Sequence, residues 1–257
     1  MRVCALCFFA IVLLGLQART TTEDVSPSLG RVPVVVELFT SEGCSSCPPA
    51  DRLLQSFDQR QPFSKADLIV MSEHVDYWNQ MGWKDPYSAK LFSARQERYM
   101  DQFGGDTIYT PQLVIDGRFE TSGNNPQQAN AYIEKSAQKA KVEVTLSNVA
   151  ITGKTLRFHV SSANLPTGIV RANVMIAVAQ DHASSDVQRG ENAGHSLTHV
   201  AVVRTLSSVG LLAAGTPFAK DVILTLPGKA SPSIRLVAFL QDTKSQAILG
   251  AALKKLP

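Results

Sequence analysis

Hydrophobic positions along the first part of the chain alternate between unbroken runs and helical stripes. Val34 to Phe39 is a nearly continuous apolar run interrupted by Glu37, the pattern of a strand buried on both faces. Ala50, Leu53, Leu54 and Phe57 then fall at i, i+3, i+4 and i+7, one stripe of an amphipathic helix. Leu68 to Met71 supplies a second short buried strand, and strand, helix, strand in this length is a βαβ unit with parallel pairing. The stretch from His74 to Pro86 is too irregular for a strand, and Gly82 and Pro86 argue against a long helix. Helical spacing resumes over Tyr87 to Phe103, with Leu91, Ala94, Arg98 and Phe103 as predicted facing positions, and Gly104-Gly105 stops it. Thr110-Pro111 leads into a short strand, Gln112 to Ile115, and Asp116-Gly117 is a hairpin turn signal. A brief return strand over Arg118 to Thr121 precedes a helix over Pro126 to Lys141, with Pro126 suited to its first turn.

Beyond Lys141 the rhythm changes. Val142 to Leu146 and much of Leu156 to Val160 alternate with period two. Val170 to Ala179, Leu197 to Leu206, Val222 to Leu226, Ile234 to Leu240 and Ile248 to Leu253 are further strand candidates separated by turn-rich segments. The order βαβ, helix, ββα is that of a thioredoxin-type domain, and the later strands suggest an antiparallel β-sandwich. The predicted fold class is therefore an α/β thioredoxin-like domain over 34–141, followed by a mainly antiparallel β-sandwich-like domain over 142–257.

The N-terminus changes the cysteine arithmetic. Arg2, the apolar run Val3 to Leu16 and the small exit residue Ala18 read as a secretory signal peptide over 1–18. That run is short of the ~20 apolar residues a spanning helix needs, so no stable membrane anchor is expected. Residues 19–33, with three threonines, Pro27 and Gly30, read as a tether. Cleavage removes Cys4 and Cys7 and leaves Cys44 and Cys47, which places the mature chain in the periplasm or outside the cell. A bridge between them closes so small a loop that chain entropy yields at most ~2 kcal/mol, which suits exchange better than stapling. A formal net charge of +3 in 257 residues, with no basic run, gives no reason to expect a nucleic-acid partner.

A lone C-x-x-C is ambiguous between a redox pair, half a zinc site and chance. Here Cys44 follows a predicted buried strand and precedes a predicted helix. At a helix N-terminus the dipole and free N–H groups stabilise a thiolate. Cys44 is then the nucleophile and Cys47, one turn inward, the resolving thiol; Pro48 and Pro49 sit where missing N–H groups cost least. Parallel strands end on one side, so His74 and Asp76 are expected beside Cys44. Pro111, opening an antiparallel strand, is expected there too. In thioredoxin-like folds a cis proline at this place exposes backbone to a substrate strand and keeps metals off the cysteines, and Thr110-Pro111 matches that element. His74 either shuttles a proton to the leaving thiol or is satisfied inside its loop, by Asp76. Tyr77, Trp78 and Trp83 either wall a groove for an extended peptide or small thiol, or cover the sheet as core. His195 and His199 have i, i+4 spacing, but nearly 150 residues separate them from the cysteines, against a shared zinc site. Soft thiolates with an imidazole also suit Cu(I), so a copper carrier built on Cys44, Cys47 and His74 is the rival reading.

Several blocks resemble one family. The sequence from Val35 to Asp51, the His74–Pro86 stretch, Arg95-Gln96-Glu97-Arg98-Tyr99 and Tyr109-Thr110-Pro111-Gln112 are similar to the signature of an exported bacterial family catalogued as domain of unknown function 1223. Arg189-Gly190-Glu191-Asn192, Leu197-Thr198-His199 and Ile248 to Ala252 extend the likeness into the second half. The resemblance implies a thioredoxin-like domain, a β-rich companion and a C-x-x-C redox site, and no substrate. Glu42 and His195 depart from the family's usual residues, and a carboxylate beside Cys44 would raise its thiol pKa. Arg189, Glu191 and His199 either fold against the first domain and close one side of the site, or form a buried polar cluster holding a sandwich turn. The expected function is an exported thiol–disulfide oxidoreductase without cofactor or metal. It would act on protein or small-molecule thiols and disulfides and be recharged by a redox partner. The copper carrier and a non-catalytic binding module are the alternatives.

Overall fold

Strand β1 (Val32–Thr40) realises the first apolar run and takes in Val32 and Pro33 at the end of the predicted tether. Alternation splits it between two buried faces, with Val34, Val36 and Leu38 on one and Val35, Glu37 and Phe39 on the other. These features belong to a computed structural model that describes residues 30–226 and 233–256. The predicted signal segment 1–18, its Cys4 and Cys7, and most of the tether lie outside the described residues.

Helix α1 (Pro48–Arg60) lays Ala50, Leu54 and Phe57 on the Val34 face, with Leu53 half-buried beside them. Strand β2 (Ala66–His74) pairs parallel with β1 from Val32↔Ala66 to Thr40↔His74, the pairing the βαβ pattern predicts. A 3-10 turn (Tyr77–Gln80) leads to helix α2 (Lys90–Phe103), which covers the opposite face of the sheet. Its buried side differs from the predicted stripe: Phe92, Arg95, Gln96, Tyr99 and Met100 face inward, whereas Leu91 and Arg98 are exposed. Buried carboxylates on the sheet select Arg95 over its apolar neighbours. Strands β3 (Gln112–Ile115) and β4 (Phe119–Ser122) form a hairpin, with β3 antiparallel to β1. Helix α3 (Pro126–Ala137) returns to the α1 side, its first turn capped by the Asn125 side chain accepting from the Gln128 N–H. It stops short of the predicted Lys141, and residues 138–143 are a loop.

All seven strands predicted beyond Lys141 are present: β5 (Val144–Thr152), β6 (Thr155–Ser162), β7 (Arg171–Asp186), β8 (Ser196–Ala213), β9 (Phe218–Thr225), β10 (Ile234–Asp242) and β11 (Ile248–Leu256). The chain is thus a mixed α/β protein dominated by sheet. A large sheet runs β11-β10-β7-β8-β2-β1-β3-β4, and β5-β6-β9 form a small one. In the large sheet the β11-β10-β7-β8 part is antiparallel, and β8 meets β2 in parallel at Ser72↔Val202, so hydrogen bonding continues across the change of rhythm at residue 141. The small sheet packs its Leu156, Phe158 and Val160 against Val174, Ile176, Leu236 and Leu240 of the large one. Strands β7 and β8 are the longest, at 16 and 18 residues, and their paired extension from His182↔Val200 to Asp186↔Ser196 carries a connecting loop to the end of β1.

Candidate functional site

The end of β1 passes into α1 through a tight turn. The Cys44 N–H donates to the Ser41 carbonyl at 3.2 Å and the Cys47 N–H to the Cys44 carbonyl at 3.1 Å. Cys47 is itself the N-cap of α1, its carbonyl accepting from Ala50 and Asp51 N–H groups, with Pro48 starting the helix. This corrects the expected placement, in which Cys44 stood at the helix N-terminus and Cys47 one turn inside. The 44–47 turn closes on itself before the prolines allow a helix to begin. Cys44 and Cys47 are joined as a disulfide. Both are wholly buried, while Ser45 and Ser46 between them are exposed, so the expected reachable first sulfur is covered.

The cover is assembled from distant segments. Cys44 Sγ lies 3.3 Å from Ser46 Oγ and 3.9 Å from the Thr110 carbonyl oxygen. The Thr110-Pro111 peptide is cis, and Trp78 Nε1 donates to Thr110 Oγ1 at 2.8 Å. Trp78 also packs on the turn: a Cβ at Gly43 would sit 3.3 Å from its Cβ. Asn124 donates to the Ser46 carbonyl at 2.9 Å.

Behind the turn lies a buried polar network. His74 Nδ1 pairs with Asp85 Oδ2 at 2.7 Å, and the same oxygen accepts the Glu42 N–H at 2.9 Å. His74 is therefore satisfied by Asp85 rather than by the expected Asp76, and its Nε2 has no hydrogen-bond partner among the described residues. Asp76 instead accepts from Ser93 Oγ at 2.5 Å and so belongs to packing on α2, whereas the Tyr77 hydroxyl donates to Gln96 of α2 at 3.2 Å and also meets the Thr110 side chain. The Glu42 carboxylate accepts from Trp83 Nε1 at 2.8 Å, from Ser185, and from His199 Nε2 at 3.2 Å. His199 Nδ1 lies 3.7 Å from Asp51 Oδ1, an ion-pair separation too long for a hydrogen bond. The His74 and His199 rings meet edge to face at 4.6 Å, with Tyr87 against both.

The charges in this network are fixed by burial and pairing. Burial opposes a proton on His199, but Asp51 and Glu42 outweigh it and carry its pKa to about 10. Burial pushes the Glu42 carboxyl up, yet the hydrogen bonds from His199, Ser185 and Trp83 leave it below its ordinary value. Asp85 is likewise lowered, its burial overcome by His74 and by backbone N–H groups. Glu42 therefore carries a negative charge that His199 matches, and its carboxylate is committed to Trp83, Ser185 and His199.

The loop between β7 and β8 closes the remaining side. Glu191 accepts the Ser45 N–H at 2.9 Å, and buried Asn192 donates to the carbonyls of Glu42 and Cys44 at 2.8 and 3.0 Å. Gly190 (φ 78°) packs on Gly82, and a Cβ there would come within 3.2 Å of Trp83 Cβ. Arg189 and His195 stay exposed. Among the described residues no three His, Cys, Asp or Glu side chains are grouped to hold a metal. The site thus gathers Cys44, Cys47, Thr110, Pro111, Trp78, Trp83, His74 and Tyr77, whose hydroxyl also reaches Thr110, while Asp76 stands apart on the α2 side. Sequence reasoning missed Asp85, Asp51, Ser185 and the clamp by Asn192. Asp85 carried a local signal, its Asp-Pro pair in the same irregular stretch as His74, and Asp51 and Asn192 stand in blocks that carry the family resemblance, whereas Ser185 had none.

The chain is similar to a solved structure, protein AGR_C_4864 from Agrobacterium tumefaciens, at 28% identity over 88% of this chain and 95% of that one, with a TM-score of 0.64. It also matches part of a beta-glucosidase from Kluyveromyces marxianus at 14% identity, covering 46% of this chain and 14% of that one, with a TM-score of 0.23, too low to carry an argument. No curated protein matches it. A family model described as a protein of unknown function, DUF1223, matches residues 35–241. That span runs from β1 through the cysteine turn and the β7–β8 loop to β10, and the chain belongs to the DUF1223 family.

Proposed function

We propose that this chain is an exported thiol–disulfide oxidoreductase whose first half is thioredoxin-like and whose Cys44–Cys47 pair cycles between disulfide and dithiol. The observation that carries the reading is a disulfide across two intervening residues, between a buried strand and a helix, with the carbonyl before a cis proline 3.9 Å from Cys44 Sγ. The order of elements through α3 supports the thioredoxin-like part, and the N-terminal sequence supports export.

In the forward reaction the Cys44 thiolate attacks one sulfur of a substrate disulfide and expels the other as a thiolate. Cys47, on losing its proton, attacks Cys44 Sγ and releases the second substrate sulfur. The substrate gains two electrons and the Cys44–Cys47 bridge re-forms. Asp85 holds His74 Nδ1 and leaves Nε2 without a hydrogen-bond partner among the described residues, which supports assigning the proton transfer to His74. Substrates are protein or small-molecule disulfides, and a separate reductant returns the bridge to dithiols.

The test is a trap. Reduced Cys47→Ser protein, mixed with an aromatic disulfide and then with an extract of exported proteins, should accumulate mixed disulfides at Cys44 that dithiothreitol releases. No adduct, with one Cu(I) bound per reduced wild-type chain, would replace this reading with a copper carrier. No adduct and a bridge that resists reduction by millimolar dithiothreitol would make the module non-catalytic.

A further inference from the structure

The turn that holds the disulfide is covered by a strap from the second half of the chain, between β7 and β8. The paired extension of β7 and β8 delivers residues 187–195 onto the turn, and there the contacts are specific. Asn192 is buried and bridges the carbonyls that flank Gly43, those of Glu42 and Cys44. Glu191 is exposed, and its carboxylate takes the Ser45 N–H at 2.9 Å. Gly190 seats the strap against Gly82 and Trp83.

Other charged groups near the turn are paired off. Glu42 on the turn faces His199 of β8, which also faces Asp51 of α1. Asp85 of the loop before α2 faces His74 of β2. Glu191 alone brings a carboxylate to the backbone of the residue following Cys44 without a cationic side chain beside it among the described residues.

We propose that Glu191 is a positioning residue that biases the Cys44–Cys47 pair toward the disulfide, while Asn192 latches the strap to the backbone of the turn that buries both sulfurs. The inference rests on the redox reading above and deepens it. Reducing the bridge adds two electrons and two protons from an external dithiol, and Cys44 must then hold a thiolate to act. A negative charge beside the turn disfavours that thiolate and draws the Ser45 N–H dipole away from it. Substrate reaches the sulfurs when Asn192 releases its two carbonyls.

Glu191→Gln separates charge from shape, because the amide oxygen still accepts the Ser45 N–H. The Cys44 thiol, titrated by thiolate absorbance, should become about two- to tenfold more acidic, the scale of one exposed charge nearby. The equilibrium with glutathione should move two- to tenfold toward dithiol, which is about 10–30 mV at 29.6 mV per decade. Added salt should shrink the difference between wild type and variant, since exposed charges are screened. Asn192→Ala should speed reduction of the bridge by a bulky phosphine severalfold more than by dithiothreitol. An unshifted thiol pKa and potential in Glu191→Gln would overturn the charge role, and equal acceleration by both reductants in Asn192→Ala would overturn the latch. These readouts do not require turnover. A strap that fails beside a Cys47→Ser chain that still traps substrate leaves the function intact, and the reverse pattern removes the function alone.

Discussion

His199 and Glu73 commit the fold to particular protonation states. His199 gains its proton on folding: its pKa rises from 6.5 to about 10, so its stabilisation is complete below pH 6.5 and is lost as pH climbs through about 10. Glu73 acts in the same direction by opposite chemistry. Burial, opposed by Arg95, raises its carboxyl from 4.5 to about 8, so the folded chain keeps a proton that the unfolded chain releases, and stability declines between those values. Urea midpoints should therefore fall steadily from pH 5 to pH 10. His199→Gln should flatten the part above pH 8 and Glu73→Gln the part below it; a wild-type profile level from pH 6 to pH 10 would refute both assignments. Removing His199 altogether, as His199→Ala, leaves Glu42 buried and unpaired and should cost ~3–5 kcal/mol. At this scale the sequence is readable where a signal is contiguous. Cys44, Cys47 and Thr110-Pro111 announce themselves within a few residues. The partner of Glu42 lies 157 positions away, and no local pattern encodes a pairing of that range.

Among the elements, α2 shows most directly why periodicity misleads. A stripe of Leu91, Ala94, Arg98 and Phe103 is a reasonable apolar reading of its sequence, yet the helix turns Arg95, Gln96 and Tyr99 inward. Strand β1 presents Glu37 on that face, and Arg95 Nη2 meets both its oxygens at 2.7 and 2.9 Å, while Nη1 donates to Gln241 of β10 at 3.0 Å. Gln96 donates to the Tyr109 carbonyl at 2.6 Å, fixing the approach to the cis peptide. Hydrophobicity scales count such residues as surface, because only a partner elsewhere makes their burial tolerable. Where burial is apolar the same reading succeeds: α1 and both strands of the βαβ unit lie where their patterns put them. Arg95→Leu should strand Glu37 and cost ~3–5 kcal/mol, and adding Glu37→Leu should restore much of that loss. Denaturant melts of the two single variants and the double close the cycle. A Glu37→Leu change that gives no rescue would mean that Arg95 matters through its packing alone.

For the molecule as a whole, the central fact is how much of the first half is finished by the second. One apolar cluster joins Val35, Ile69 and Phe92 to Ala177, Val203, Val237 and Phe239, and the cluster under α1 takes in Val200 and Ala201. Arg235 of β10 reaches Asp58 of α1 with two hydrogen bonds at 2.5 and 2.8 Å and also meets Asp181 of β7. At the β3–β4 turn the Asp116 carbonyl accepts from the Ile248 N–H at 2.7 Å. The change of rhythm near residue 141 is legible because helices give way there to a second sheet as cover. It is silent on shared strands, since β2 looks the same in sequence whether its outer edge meets β8 or water. Residues 30–141 expressed alone, with the bridge oxidised, lose Gln241 from Arg95, His199 from Glu42 and Arg235 from Asp58, and expose β2 as a long apolar edge. The apolar faces that Ala177, Val200, Ala201, Val203, Val237 and Phe239 cover are laid open at the same time, a loss set against the ~5–15 kcal/mol by which ordinary proteins are stable. The fragment should therefore show no cooperative thermal transition and little near-ultraviolet circular dichroism, whereas the full chain shows both. A sharp transition with native aromatic signal from 30–141 would mean that the first half carries its own core and that the junction at Ser72 and Val202 is mere contact.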